Sequence, residues 1–203
     1  MTEQKYITAW CSVFNNKVAK NGMQLFDGKT VSIDEFVVGV YKYLQVQYPK
    51  FYKMDNLSKL GWLATEVLLK DNIEKGSYAP EQIAVVLANA NASLDSDLRY
   101  LASVKDGASP ALFVYTLPNI VIGEICIRNG FKGENTFYIA AHFDAAMMYR
   151  QVSETMGHKA EVCVCGWVDV FGEDYKAVLF LVETHKEGIP FSETNLKKLF
   201  ESN

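Results

Sequence analysis

No run of about 20 apolar residues occurs in this chain of 203 residues. The most apolar segment, Ala111 to Ile127, is broken by Pro118, Asn119, Gly123 and Glu124. That composition excludes a membrane span there. The N-terminus, Met1-Thr2-Glu3-Gln4-Lys5, lacks a basic region followed by a hydrophobic core. No secretory signal is therefore expected, and the expected location is cytoplasmic. A basic stripe is also lacking: Lys197-Lys198 is a small cluster beside Glu201, and the net charge is −4. With a pI of about 5.4, nucleic acid is excluded as a partner. The four cysteines are ordinary usage for this size and are expected as reduced thiols. There is no Gly-x-Gly-x-x-Gly, no phosphate loop and no Gly-x-Ser-x-Gly elbow. No cofactor is expected on those grounds.

What is present is ordinary globular composition, 49% hydrophobic and 22% charged. A chain of this size buries roughly 70% of its unfolded surface and needs neither disulfide nor metal to fold. The pattern predicts strands at Tyr6 to Val13, Gln82 to Ala88, Thr136 to Ala141, Glu161 to Val170 and Lys176 to Glu183. The last two, joined by Gly172-Glu173-Asp174, read as a hairpin. Helices are predicted at Ile33 to Leu44, from Asp55 or Asn56 to Leu69, and at Leu94 to Val104. Three more follow: one after Pro118-Asn119 that runs to Asn129 and is closed by Gly130, one at Phe143 to Met156, and one at Asn195 to Glu201. Residues 15–53 read as an insertion of irregular and short helical structure. Apolar strands alternating with helices imply an α/β fold: a single αβα layer whose mostly parallel mixed sheet is covered on both faces. One domain, 1–203, is expected.

Cys163-Val164-Cys165 has the look of a metal or redox pair, but zinc needs about four ligands and no second pair has suitable spacing. In a strand, Cys163, Cys165 and Trp167 share one face and Val162, Val164 and Val168 the other. Core packing is the better reading, and no metal site is expected.

Several separated segments resemble one family, the β-ketoacyl synthases (3-oxoacyl-ACP synthases, or condensing enzymes) of the thiolase fold. Met54-Asp55-Asn56-Leu57-Ser58-Lys59-Leu60 with Ala64-Thr65-Glu66 resembles that family's first long helix. Ile83 to Asn89 followed by Ser93-Leu94-Asp95 resembles its second strand and loop. The most specific stretch is Ser109-Pro110, Leu117-Pro118-Asn119, Gly123, Ile127 and Gly130-Phe131-Lys132-Gly133. It is similar to the segment that precedes the family's nucleophile. Cys165-Gly166-Trp167 is similar to a strand ending in a glycine pair. The cover runs from about Met54 to Val170, and the chain resembles the N-terminal half of a condensing enzyme.

The resemblance implies a cysteine shortly after the Lys132-Gly133 turn. Counting forward from that turn gives His142; counting back from Cys165-Gly166 gives Ala141. No cysteine stands at either, and Phe143 and Asp144 follow. A helix N-terminus activates a thiol by favouring thiolate, whereas the same field disfavours an imidazolium. Asp144 reads as a helix cap, or as a group that orients His142. The family's two histidines and lysine belong to its second half, and His158 and His185 do not match them; both read as surface residues.

The implied product is a non-catalytic partner or chain-length-factor-like subunit in fatty-acid, polyketide or polyene-type biosynthesis. The alternatives are an acyltransferase using another nucleophile, such as Cys126 or Cys165, and a dimeric protein that binds a hydrophobic acyl ligand. The implied partner is a second copy or a ketosynthase-like chain, with an acyl carrier protein beside it. The resemblance places the dimer interface on Pro118, Asn119, Ile122, Gly123, Ile127, Phe137 and Ile139. Lys53, Lys59 and Lys132 are the candidate carrier-protein contacts.

Overall fold

Two asparagine turns set one edge of the sheet. Asn15 and Asn16 (φ 48° and 57°) and Asn21 and Gly22 (φ 51° and 79°) adopt the left-handed backbone that two-residue hairpin loops require. They join β1 (Tyr6–Phe14), β2 (Lys17–Lys20) and β3 (Met23–Asp27) into an antiparallel meander. In this computed structural model the described residues are 4–29, 31–74 and 76–202, without the Asp106 side chain. Residues Met1 to Glu3, part of the signal-sequence reading, lie outside them. The meander corrects the expectation of an irregular insertion over 15–53. Its strands are too short and exposed to show an apolar run, although Asn-Asn and Asn-Gly were the readable signal.

α1 (Ile33–Leu44) starts at a reciprocal cap between Ser32 and Glu35 and buries Phe36, Val37 and Val40. A 3-10 turn, Pro49–Lys53, then stacks Phe51 on Tyr41 with ring centroids 4.4 Å apart. α2 (Asn56–Leu69) is buried nearly all round, and β4 (Ile83–Asn89) is buried at every residue. α3 (Leu94–Ser103), the short α4 (Pro110–Phe113) and α5 (Ile120–Asn129) lead to β5 (Asn135–Ile139) and α6 (Ala145–Thr155). β6 (Val162–Phe171) and β7 (Asp174–Glu183) form the expected hairpin, and β8 (Ile189–Pro190) and α7 (Glu193–Glu201) follow.

All eight strands form one sheet in the order β3-β2-β1-β7-β6-β4-β5, with β8 on β1. The sheet is mixed, as expected, but its balance differs from a mostly parallel one. β4 pairs in parallel with β5 and β6, and the other five described pairings are antiparallel. Hairpin connections, which the short polar loops favour, account for that excess. Residues of α1, α2 and α5 make the core on one face, and residues of α6 and α7 make it on the other. β6 feeds both cores by strand alternation. Val162, Val164 and Val168 enter the first, and Cys163, Cys165 and Trp167 the second. Gly166 sits inside β6, not at a strand end: a Cβ there would meet the Val178 carbonyl oxygen at 2.2 Å.

Among the described residues, no single helix is long and apolar enough to cross a membrane.

Candidate functional site

The junction between β5 and α6 is where the sequence places the family's nucleophile. It is fixed from below by the Lys132-Gly133 turn. A side chain at Gly133 would meet the Ile83 carbonyl oxygen at 2.3 Å, so only glycine lets the turn pass under β4. β5 then pairs with β4 from Val85↔Asn135 to Asn89↔Ile139. Its last sheet hydrogen bond runs from the Ala140 N–H to the Asn89 oxygen, 2.9 Å. β4 ends there, so β5 stops at Ile139 rather than continuing to Ala141, as the apolar run suggested.

Ala141 and His142 are exposed in the turn that follows. Asp144 is the cap of α6: its carboxylate accepts the Met147 N–H at 2.9 Å. The helix therefore begins at Ala145, two residues later than expected. His142 stands outside the first turn, where the helix field has already weakened. Among the described residues no hydrogen bond joins His142 to Asp144, so the capping reading holds and the orienting one does not.

Phe143 turns inward. Its ring stacks on Phe200 of α7 with centroids 4.0 Å apart and planes 11° apart. Trp167 and Phe180 lie 6.4 Å and 6.3 Å away. α7 is held there by its Ser192 cap and by Leu196, which is fully buried. What remains outside this stack is an open depression of about 650 Å³ lined by His142, Asp144, Glu193, Lys197 and Glu201 among others. Three carboxylates face one ammonium, so its field repels anions. The cover by α7 was not foreseen; the Leu196 and Phe200 spacing on one helical face was its only signal.

The cysteines lie apart from this junction. Cys11, Cys163 and Cys165 are buried and Cys126 is half-buried. Burial pushes the Cys126 thiol up to about 11 and the Cys11 thiol up to about 12. Cys165 is raised by burial and by its neighbour Cys163. None has the electropositive, accessible setting of a reactive thiolate. Among the described residues no group of His, Cys, Asp and Glu could hold a metal ion. His158 is exposed, and so is His185, whose Nε2 lies 3.2 Å from Glu161.

The seven expected interface residues are not one surface. Ile122 is 1% exposed and belongs to the chain's own core, which removes it from any contact with a partner. Phe137 is half-buried and packs on the same core. Ile127 and Ile139 are exposed at 66% and 53%, Asn119 is exposed, and Pro118 and Gly123 are half-buried. β5 is the terminal strand of the sheet, so its outer edge is open among the described residues.

The three lysines also separate. α2 and α5 run side by side, with Gly61 against Val121 and Glu66 bonded to Arg128 at 2.9 and 3.1 Å. Lys53 and Lys59 lie at the start of this pair. Lys132 lies past its end, with its N–H on the Pro80 oxygen. The rise from Lys59 to Glu66 alone is about 10 Å. Lys59 is also half-buried, and burial lowers the pKa of its ammonium.

No family model matches the chain, and no curated protein matches it. Solved structures do. "The ishigamide ketosynthase/chain length factor" superposes with a TM-score of 0.66 at 19% identity, over 92% of this chain and 64% of that one. The fold is of the ketosynthase type. A chain of the AntDE:AntF complex, a type II PKS acyl-carrier protein with its ketosynthase bound to the hexaketide, gives 0.59 at 15% identity. That match covers 91% of this chain and 64% of the other. A chain of the ketosynthase ApeO in complex with its chain length factor ApeC, from Xenorhabdus doucetiae, gives 0.58 at 15% identity. There the cover is 98% of this chain and 90% of the other. The chain thus spans less than two thirds of the first two neighbours and nine tenths of the third.

Proposed function

We propose that this chain is a non-catalytic, chain-length-factor-like subunit that acts as one unit beside a cytoplasmic ketosynthase. Its pathway would be of the fatty-acid, polyketide or polyene type. One observation carries the reading: the strand–turn–helix junction after the Lys132-Gly133 turn holds exposed Ala141 and His142 and no cysteine, with the Phe143–Phe200 stack packed behind them. A neutral imidazole forms no stable thioester, and the acidic rim of the depression is poorly suited to an anionic phosphate-bearing arm. The neighbours titled as ketosynthase with chain length factor support the assignment of role, and the open β5 edge supports a strand-to-strand contact with the partner. Lys53 and Lys132 are both exposed; Lys53, with half-buried Lys59 beside it, would serve an acyl carrier protein at one end of the helix pair, and Lys132 a separate contact at the other.

The alternatives gain no observation. An acyltransferase using Cys126 or Cys165 would need a thiol that burial keeps protonated. An acyl-binding tunnel would need the room that Phe143 and Phe200 occupy.

The test is native mass spectrometry before and after exposure to acyl- and malonyl-thioesters. No covalent adduct is expected. A stoichiometric adduct on His142, Cys126, Cys163 or Cys165 would overturn the reading. In the same material, iodoacetamide at pH 8 should leave Cys11, Cys163 and Cys165 unmodified and label Cys126 slowly.

A further inference from the structure

α2 and α5 run in the same direction, so their carbonyl ends reach the same end of the molecule. There the segment from Ile73 to Pro80 and the start of β4 border an open cavity of about 600 Å³, a size that suits a small organic molecule. It lies away from the β5–α6 junction: Ile83 begins β4 at the cavity, and Asn89 ends it beside Ile139. Leu69, Ile73, Tyr78, Pro80, Ile83 and Phe131 give it apolar and aromatic walls. The outer wall is pinned from behind. The Tyr78 hydroxyl donates to the fully buried Glu183 at 2.8 Å, and Lys186 Nζ donates to the Asn72 oxygen at 2.7 Å. The charged groups on the wall are Glu66, Glu74 and Arg128. Arg128 is already engaged: its Nε and Nη2 donate to Glu66, and its guanidinium lies over the Tyr48 and Trp62 rings at 5.3 and 5.5 Å. That leaves the exposed carboxylate of Glu74. The two helix ends also differ. Lys20 Nζ donates to the Lys70 oxygen at the end of α2. The last bonds of α5, from the Gly130 and Phe131 N–H groups, both end on the Cys126 oxygen at 2.8 and 3.1 Å. The oxygens of Ile127, Arg128 and Asn129 therefore have no partner within the helix.

We propose that this cavity binds a small organic ammonium with an apolar or aromatic body. The proposal goes beyond the subunit role and does not depend on it. Charge complementarity carries it. The carbonyl end of α5 presents about half a negative charge, and Glu74 adds a full one, while the single cation of the wall is tied to Glu66. An anion would be repelled by both and would have to displace Glu66 to reach the Arg128 fork. An ammonium instead meets acceptor oxygens and the rings of Tyr78 and Phe131, whose faces attract a cation. The apolar walls call for a body on that cation, which an inorganic ion lacks. Among the described residues no group of His, Cys, Asp and Glu could hold a metal ion in any case.

The probe is phenethylamine, titrated into the isotope-labelled full-length protein and followed by its amide NMR shifts. Hydrocinnamate and phenethyl alcohol serve as probes of similar body with a negative charge or none. The amine should move the amides of Ile73, Tyr78 and Phe131 and bind at least tenfold more tightly than the carboxylate, with the alcohol between them. Glu74→Lys should weaken the amine about tenfold. Glu154→Lys, an exposed acidic position on α6 in the other layer of helices, should leave it unchanged. Ile73→Trp fills the cavity and should abolish the shifts from all three probes. If that variant melts below the wild type, Glu74→Lys, made on an exposed side chain, decides the matter alone. A carboxylate that moves the same amides more tightly would make this an anion site and overturn the proposal. Amine shifts that lie elsewhere, or that Glu74→Lys leaves untouched, would also overturn it. So would the absence of shifts up to about 10 mM amine, the weakest affinity expected of its nine heavy atoms. Each of these results leaves the subunit role standing, since that role is decided by the thioester adduct.

Discussion

α2 and α3 both carry an apolar stripe at helical spacing, and they point those stripes in opposite directions. α2 buries Leu57, Leu60, Leu63, Val67 and Leu68 in the core of its own chain, and it buries Trp62 as well. α3 buries serines and shows its leucines to the outside. The periodicity of a helix announces a face that must be covered, but it does not say by whom. Burial elsewhere in the chain answers that question for α2, and polar anchors answer it for α3. α3 is held by the hydrogen bond from Ser96 to the capping Asp55, and its apolar stripe stays exposed.

The comparison can be broken most strongly at α2. Leu60 is fully buried, so Leu60→Ala should cost about 3 kcal/mol, the loss of its transfer energy plus the cavity left behind. Urea unfolding of the isolated chain measures it; a loss under about 1 kcal/mol would mean that this core collapses around the gap.

The anchor between the two helices comes next. Asp55 caps α2 through the Ser58 N–H at 2.9 Å and holds α3 through Ser96. Asp55→Ala removes both bonds and should cost about 1–2 kcal/mol. Burial raises the Asp55 pKa above its ordinary 3.8, against the bonds from Ser58 and Ser96 that lower it. The folded state therefore holds this proton more tightly than the unfolded one. The stability it contributes is complete below about pH 4 and is lost as the pH rises through the folded value. Asp55→Asn keeps an acceptor for the cap and removes the buried charge. It should be at least as stable as the wild type at pH 7, with the advantage shrinking toward pH 4. A variant that loses stability equally at both pH values would show that the charge itself is needed.

The smallest effect is expected on the stripe of α3. Leu98→Ala should change the stability of the isolated chain by less than about 0.5 kcal/mol, since the side chain is half in solvent already. A cost near that of Leu60→Ala would erase the contrast between the two helices.

Much of the fold was legible because its signals are local. The Ser32–Glu35 cap, the Asp55 cap, Gly130 at the end of α5 and the β6–β7 hairpin all lie within a few residues of the elements they bound. The turn at Lys132-Gly133 was readable too, because Gly133 sits where only a glycine passes beneath β4. The meander at residues 15–27 was missed because four- and five-residue exposed strands carry no apolar run. Neither did the sequence show that Phe200, 57 residues beyond Phe143 by their numbering, would close over it, since nothing local links them.

By itself, then, the sequence determined the capped starts of α1 and α2, where several turns must fall, that no cysteine stands at the junction, and that α3 has an apolar stripe. Each follows from the chemistry of one residue or from a repeat within one element. Only the tertiary structure decided which way that stripe faces, that Ile122 belongs to the core, that three lysines lie at two ends of a helix pair, and that α7 plugs the space behind His142. Those depend on contacts between segments far apart in the chain, where the competition for buried surface is settled by packing and not by periodicity.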